Sequence, residues 1–256
     1  MMEPLLAISA FNDNYIWTYI DKIKKQALVV DPGDAGPVIA ALEDSEIDLT
    51  TILLTHHHKD HSGGIKELKK RWNAVTVIGS ANSPCHDLTQ RVSEGDKISF
   101  GPSTLHVLEI PGHTLDHIAF YNNAVLFCGD TLFSAGCGKV FEGTYDQMYQ
   151  SLIKLALLPD DIKIYCGHEY TLANLQFAKK VEPQNSAIEE RISFANQMRK
   201  NNLPTLPSTL YLEKQMNPFL RCSIATVIDS AEKQAGKKLK SPVEVFACLR
   251  EWKNNQ

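Results

Sequence analysis

The chain lacks three features that would each point to a particular class of protein. No apolar run approaches the roughly 20 residues that a membrane-spanning helix needs. The six cysteines are widely spaced without a C-x-x-C pair, so neither a thiol-built zinc site nor a disulfide scaffold is predicted. A basic excess is missing too, because 26 Lys and Arg stand against 30 Asp and Glu. Proteins that bind nucleic acid or membrane surfaces commonly use an excess of basic residues to do so, and we therefore predict neither partner.

The N-terminal segment and the cysteines together predict a cytoplasmic protein. The first fifteen residues, MMEPLLAISAFNDNY, have no basic region, and their apolar stretch breaks at Asn12, which argues against a secretory signal. Scattered cysteines are typical of reduced thiols in a cytoplasm. The length of 256 residues suits either one large domain or a medium domain with a small one.

The first two-thirds of the chain alternates predicted strands with predicted helices. The strand segments are rich in β-branched and aromatic residues and lie at 15–20, 27–30, 51–55, 74–78, 105–110, 118–121, 125–128 and 162–166. Helical patterns fall at 36–42, 65–72 and 145–158. The last begins with a capping box, Thr144 with Gln147, and stops at Pro159. We therefore predict an α/β fold in which helices cover sheets.

After Glu169 the strand pattern nearly disappears. Two further capping-box patterns, Ser186 with Glu189 and Ser241 with Glu244, predict helix starts in this part of the chain. Pro242 stands at the first helical position of the second. We predict two domains, residues 1–169 and a small helical domain at 170–256.

A dense group of metal-ligand residues follows the predicted strand at 51–55. Three histidines and an aspartate lie within a segment of six residues, at a spacing that suits metal ligands: His56, His58, Asp60 and His61. Residues two apart in an extended segment point the same way, so two of the histidines converge while His57 faces elsewhere. Imidazole and carboxylate suit zinc and similar divalent metals. Such a dense run is hard to explain as solvated surface, so we predict a metal site here.

The same arrangement recurs at three later strand ends. Each time a predicted strand runs into glycine and then a potential ligand: His113, Asp130 and His168. Taken singly, each would usually be an ordinary turn or surface residue. Seven ligands exceed the three or four that one zinc takes from protein. The count predicts two metal ions that share a carboxylate, an arrangement that bridges a water and lowers its pKa toward 7.

The order of these motifs resembles the metallo-β-lactamase superfamily. H-x-H-x-D-H is followed by P-G-H-T, G-D-T and a late G-H. The segments Cys128–Thr144 and Cys166–Asn174, with FNDNY at 11–15 and VDPG at 30–33, are similar to glyoxalase II, the hydroxyacylglutathione hydrolases. The resemblance covers nearly the whole chain. It implies an αβ/βα sandwich with a small all-helical C-terminal domain.

The resemblance also implies a role for each ligand. His56, His58 and His113 would bind one metal ion, Asp60, His61 and His168 the other, and Asp130 would bridge them. Zinc is the expected metal, with iron and manganese as alternatives. The implied reaction is hydrolysis of S-(2-hydroxyacyl)glutathione thioesters, chiefly S-D-lactoylglutathione, by a metal-bridging hydroxide. This would be the second step of methylglyoxal detoxification. The expected partner is this small substrate alone, and the expected state is a monomer.

Six residues match the family's substrate contacts: Lys139, Phe141, Tyr170, Asn174, Arg250 and Lys253. Family members often carry tyrosine where Phe141 stands, which implies a missing hydroxyl contact. Arg250 and Lys253 are three apart on a predicted helix and so share a face, where cations suit the carboxylates of glutathione. Without the resemblance, basic residues in a last helical turn would be read as complementing the helix dipole.

Three other functions fit parts of the same pattern. A persulfide dioxygenase of this superfamily would hold one iron with part of the ligand set. A nuclease or lactonase could use the whole metal site, although the acidic balance of the chain disfavours the nuclease. A non-enzymatic zinc module is disfavoured because a closed structural site does not need seven ligands.

Overall fold

This computed structural model describes residues 5–43 and 46–256. Residues 1–4, at the start of the N-terminal segment considered above, lie outside them. The chain divides into two compact units. Unit 1 comprises Met1–Glu109, Thr114–Gly129 and Tyr165–His168, and unit 2 comprises Ile110–His113, Asp130–Ile164 and Glu169–Gln256. The domain boundary predicted after residue 169 stays a prediction.

The first sheet of unit 1 has six strands in the order of the chain. They are β1 (Leu6–Ala10), β2 (Asn14–Asp21), β3 (Gln26–Val30), β4 (Asp48–Leu53), β5 (Thr76–Ser80) and β6 (Gln90–Val92). The pairs β1–β2 and β2–β3 are antiparallel, whereas β3 to β6 run parallel. Parallel neighbouring strands end at the same edge of a sheet, so the segments that follow β3 and β4 begin side by side.

The second sheet of unit 1 is antiparallel where its pairing is described. Its strands are β7 (Lys97–Phe100), β8 (Ser103–Glu109), β9 (Ile118–Tyr121) and β10 (Val125–Gly129). The last residues of β13 (Lys163–Cys166) lie beside β10. Trp17 of the first sheet donates its indole N–H to the Cys166 carbonyl at 2.8 Å and meets the Tyr165 ring edge-on at 4.9 Å. These contacts join the two sheets at β13.

Three helices belong to unit 1: α1 (Ala35–Leu42), α2 (Lys59–Ser62) and α3 (Ile65–Arg71). Asp34 caps α1 by accepting from the Gly36 amide. The apolar side chains of α1 and α3, among them Val38 and Leu68, pack on the first sheet in one buried cluster with Ile52. Burying each such side chain stabilises the fold by about 1.5–3 kcal/mol.

Unit 2 is mostly helical. Its elements are β11 (Leu132–Phe133), β12 (Gly136–Cys137), α4 (Tyr145–Ala156), α5 (Thr171–Val181), α6 (Ser186–Lys200), β14 (Ser208–Thr209), α7 (Leu210–Met216), α8 (Ala225–Ala235) and α9 (Pro242–Asn254). The short β14 pairs antiparallel with the start of β13 and interrupts an otherwise helical C-terminal region. Such a two-residue strand carries no periodicity that the sequence could reveal.

All three predicted helix starts are confirmed to within one residue, and the predicted cap residue is wrong for one of them. Thr144 and Gln147 form the reciprocal capping box of α4. Ser241 caps α9 with Pro242 next to it. The cap of α6 is Asn185, which accepts from the Ala187 amide, rather than Ser186. Asn and Ser are comparable caps, so local preference alone could not separate them.

The fold therefore confirms the predicted α/β class with mixed sheets and a helical C-terminal region. Each predicted strand lies within a few residues of an observed one. Across residues 5–43 and 46–256, none of the helices has the length and apolar character required to span a bilayer.

Candidate metal centre and substrate residues

The segment after β4 is held by an aspartate at the end of β3. Asp31 accepts hydrogen bonds from the Thr55 amide and hydroxyl, both at 2.7 Å. The Thr55 hydroxyl also lies 3.1 Å from Nδ1 of buried His56. The chain then places the rings of His56 and His58 edge to face, with centroids 4.8 Å apart. The two side chains therefore lie close together, as expected from their spacing.

His57 points away from its neighbours toward a different partner. Its Nδ1 lies 2.8 Å from the carboxylate of buried Asp116, which also accepts from the Thr114 hydroxyl at 2.7 Å. Burial raises the pKa of Asp116, but hydrogen bonds from His57, Thr114 and Ser83 outweigh it and lower that pKa. His57 thus anchors the loop and is oriented by a carboxylate.

Three ligand-type atoms meet at the start of α2 and the end of β13. Nε2 of His61 and Nε2 of His168 are 3.3 Å apart. The Asp60 Oδ2 lies 3.5 Å from the first and 3.4 Å from the second. His168 lies 107 positions from His61, yet the donor atoms of all three residues converge tightly enough to hold one ion. Two imidazoles and a carboxylate are a suitable donor set for zinc or iron.

The outer nitrogens of these two imidazoles face carboxylates. His61 Nδ1 lies 3.1 Å from Asp31 and His168 Nδ1 lies 2.7 Å from Asp13. A carboxylate can only accept, so each Nδ1 carries a proton, and each Nε2 is the ring nitrogen that faces the cluster. Metal-ligating histidines almost always have such a partner on the other nitrogen. The residues present therefore fit a bound metal ion.

Asn14 completes the surroundings of this cluster. Its amide donates to Oδ2 of Asp60 at 3.2 Å and to the Asp60 carbonyl at 3.3 Å. Side-chain contacts with His168 and His61 hold the pKa of the Asp60 carboxyl well below its ordinary value, although burial opposes them. The group is therefore a carboxylate at neutral pH.

Gly129, at the end of β10, passes close to the histidine segment. Its φ is +45°, a left-handed conformation that favours glycine. A Cβ here would lie 2.3 Å from the Thr55 hydroxyl and 2.9 Å from the His117 ring. Any side chain would therefore displace the segment that carries the histidines. Glycine before the ligand Asp130 is therefore required by this close approach.

Unit 2 brings its own two predicted ligands together. Nε2 of buried His113 lies 3.6 Å from Oδ2 of buried Asp130. Nδ1 of His113 lies 2.7 Å from the Lys139 carbonyl, an acceptor that again leaves Nε2 as the ligand-type atom. Gly138 packs against both ligands, since a Cβ there would be 1.9 Å from the Asp130 carbonyl and 3.1 Å from the His113 ring.

Three of the predicted substrate residues are exposed. The Lys139 ammonium lies 5.2 Å from the centre of the Phe141 ring, which is 59% exposed and 5.3 Å from the His113 ring. Tyr170 meets the Phe133 ring edge-on at 5.2 Å. A cation and two aromatic faces are therefore open to a small molecule in unit 2.

Arg250, near the end of α9, is buried. Its Nη1 donates to the Cys137 carbonyl at 2.7 Å, and its guanidinium lies 5.2 Å from the centre of the Phe219 ring. In this structure Arg250 therefore holds the backbone that leads to Lys139.

Lys253 and Asn174 act on the same stretch of backbone. The Lys253 ammonium donates to the Asn174 side chain, and buried Asn174 donates to the Ser134 carbonyl at 3.0 Å. Burial, with the nearby charge of Arg250, lowers the pKa of Lys253 to about 7. Lys253 and Asn174, both predicted to contact the substrate, are thus held in position by hydrogen bonds within the protein.

Sequence reasoning missed Asp13, Asn14 and Asp31, which contact the ligands, and Asp116, which orients His57. Asp31 was within reach, because it follows the buried strand β3 just as Asp130 follows β10. Asp13 lies in a hairpin turn, where an aspartate usually serves the local backbone. Nothing in its spacing indicates that it reaches His168.

Comparison with known proteins covers both parts of the chain. Residues 14–84 and 87–168 match the family described as "Metallo-beta-lactamase superfamily", and residues 169–256 match "Hydroxyacylglutathione hydrolase C-terminus". The chain is 48% identical over 256 residues to a hydroxyacylglutathione hydrolase of Psychromonas ingrahamii, covering 99% of this chain and 100% of that protein. A protein of the same name from Aeromonas salmonicida is 49% identical over 254 residues, covering 99% of each.

Among solved structures, the chain is similar to the crystal structure of ETHE1 from Myxococcus xanthus. The TM-score is 0.67 at 25% identity, with 98% of this chain and 91% of that chain covered. The fold of unit 1, with its mixed sheets and strand-end ligands, is thus the metallo-β-lactamase fold. That fold and the histidine and aspartate clusters imply a dinuclear site for divalent metal ions.

Proposed function

The chain belongs to the hydroxyacylglutathione hydrolases and is a thioester hydrolase, and we propose that its main substrate is S-D-lactoylglutathione. The products are glutathione and D-lactate, as in the second step of methylglyoxal detoxification. The observation that carries this proposal is the cluster of Asp60, His61 and His168, whose imidazoles turn their outer nitrogens to carboxylates. A structural role for these histidines would not require that arrangement.

Seven residues form the proposed dinuclear site. His56, His58 and His113 would hold one ion, Asp60, His61 and His168 would hold the other, and Asp130 would serve both. Zinc is the proposed metal, although iron or manganese suits the same donors. Bound divalent ions lower the pKa of water toward 7 and stabilise negative charge that develops on the thioester carbonyl.

The residues of the chain set the protonation states that this chemistry requires. Asp31 and Asp13 keep the protons of His61 and His168 on Nδ1. The lowered pKa of Asp60 keeps its carboxyl ionised. The leaving group is a thiolate whose parent thiol has a pKa of about 8.5, so no strong general acid is needed. This agrees with a site in which the histidines and aspartates serve as ligands.

The glutathione part of the substrate is proposed to lie against unit 2. Lys139 and Tyr170 are open to solvent and offer a cation and a phenol to its anionic ends, beside the Phe141 ring. The contacts proposed for Asn174, Arg250 and Lys253 start from side chains already bonded within the protein. The protein is proposed to act as a monomer in the cytoplasm, where its free cysteines stay reduced.

Metal analysis combined with substrate assays tests this function. We expect two metal ions per chain and rapid hydrolysis of S-D-lactoylglutathione. A single bound iron with oxygen uptake on glutathione persulfide would instead identify a persulfide dioxygenase. Turnover of RNA or a lactone in preference to the thioester would assign a different hydrolase to the site.

A further inference from the structure

A short hairpin in unit 2 connects Asp130 with Lys139. It consists of β11, the turn residues Ser134 and Ala135, and β12. Its base is closed by a hydrogen bond from the Gly138 amide to the Thr131 carbonyl at 3.2 Å. Gly138 in turn lies against the Asp130 carbonyl and the His113 ring. The conformation of this hairpin therefore fixes where both ligands of unit 2 stand.

The turn of the hairpin is held by a buried carboxylate from α7. Glu213 is completely buried, and its Oε2 accepts from the Ala135 amide at 2.7 Å. Ala135 has a φ of +55°, which is costly for a residue with a side chain. The other donors to Glu213 are the Ser208 hydroxyl and the Asn217 amide. A buried carboxylate is expensive, so a role for this one is expected.

Asn217, one turn further along the chain, binds the two carbonyls that flank the same turn. Its Nδ2 lies 3.1 Å from the Phe133 carbonyl and 2.9 Å from the Gly136 carbonyl, and the residue is completely buried. Buried main-chain groups outside a ladder must find partners of this kind. Glu213 and Asn217 together thus satisfy three main-chain groups of the hairpin.

We propose that Glu213 and Asn217 are positioning residues for hydrolysis, acting through the hairpin on His113, Asp130 and Lys139. The proposal rests on the proposed function in so far as His113 and Asp130 are metal ligands. Both residues hold main chain rather than substrate. A displaced hairpin would move two ligands and a substrate contact together, because Gly138 joins them.

Glu213→Gln is the first test. Glu213 accepts donors on both of its oxygens, whereas glutamine has one oxygen and turns an NH2 toward a donor. We expect metal affinity, measured by competition with a chelator, or kcat to fall by about 10- to 100-fold. Amide exchange of the peptide spanning residues 131–138 should become faster in the same variant.

Glu182→Gln is the matched control. Glu182 is also a buried carboxylate of unit 2 with several donors, but these are Arg221, Thr226 and Asn185. We expect the control to melt at a lower temperature and to keep its kcat, its metal affinity and the exchange rate of residues 131–138. If the two variants lose kcat equally at matched stability, the positioning role is wrong.

Asn217→Ala provides a second approach should Glu213→Gln not fold. It removes the bonds to Phe133 and Gly136 and leaves the carboxylate in place. We expect the same pattern of faster exchange at 131–138 and weaker metal binding. Wild-type values for both would overturn the proposal. Metal affinity and exchange are read without any thioester, so they test the proposal even if the wild-type protein fails to hydrolyse S-D-lactoylglutathione.

Discussion

Two regions of the protein bury polar side chains and use them in opposite ways. At the strand ends of unit 1, buried His61 and His168 and the half-exposed Asp60 turn ligand-type atoms toward one another. In unit 2, Glu213 and Arg250 turn theirs toward the main chain of residues 135–138. The first arrangement is suited to binding an ion, whereas the side chains of the second form hydrogen bonds with the protein's own main chain.

The difference teaches which observation identifies a site and which identifies its support. Ligand-type atoms that converge on one point, such as two imidazole Nε2 atoms 3.3 Å apart and a carboxylate oxygen beside them, form a donor set that suits a cation. Side chains that each complete a main-chain bond gain their stability at once. Substitutions should therefore affect metal content first in the former region and geometry or affinity in the latter.

The largest effect is expected in the ion-binding region. His168→Ala removes one donor from the cluster with Asp60 and His61. Loss of several kcal/mol of transition-state stabilisation corresponds to a fall in kcat of about 1000-fold. His106→Ala, in strand β8 of the same unit, serves as control. A His168→Ala protein with full activity and two bound metal ions would contradict the proposed site.

A smaller effect is expected from the carboxylates behind the ligands. Asp31→Asn keeps the shape of the side chain, and asparagine tolerates the φ of +53° at this position. It weakens the hold on His61 Nδ1, which should lower metal affinity or activity by about 10- to 100-fold. The control is Asp34→Asn, since asparagine caps α1 as well as aspartate does. Equal behaviour of the two variants in a metal titration would remove Asp31 from the site.

Residues that lie at strand ends could be predicted from the sequence because their position is a local property. A buried strand, a glycine and a polar residue are visible in the order of residues, and parallel or neighbouring strands bring their ends together. The α/β fold could be predicted for the same reason. The eight predicted strands and three predicted helices in the first two-thirds of the chain are recognised from their local residue patterns.

The supporting residues could not be predicted because their roles depend on tertiary contacts. The spacing of Arg250 and Lys253 gives a shared helix face, but only the packing against Phe219 and Cys137 makes that face buried. Glu213 stands in an ordinary helical stretch, LYLEKQM, where a charged residue is normally solvated. Its partner Ala135 is 78 positions away.

In the supporting region, Arg250→Ala should affect substrate affinity more than turnover. It removes the bonds to the Cys137 and Gly138 carbonyls, next to Lys139. We expect KM to rise about tenfold and the free energy of unfolding to fall by about 1–3 kcal/mol because buried carbonyls lose their donor. The exposed Lys237→Ala removes the same charge elsewhere in unit 2 and should leave KM unchanged. A collapse of kcat at constant KM would mean that Arg250 does not act on affinity.

The smallest effect concerns the charge of Lys253 and appears as a pH dependence of stability. Burial is the main reason that the pKa of Lys253 is lowered to about 7 in the folded protein, whereas the ordinary pKa of a lysine, as in the unfolded chain, is 10.5. Between these values the unfolded chain binds one proton more than the folded one, so the stability of the wild type rises with pH. The slope from this group is at most about 1.4 kcal/mol per pH unit. Lys253→Met removes this titrating group. Urea unfolding of both proteins from about pH 6.5 to about pH 9.5, within the range between the two pKa values, should therefore give a flatter profile of stability against pH for the variant. Parallel profiles would mean that Lys253 stays charged and solvated when the protein is folded.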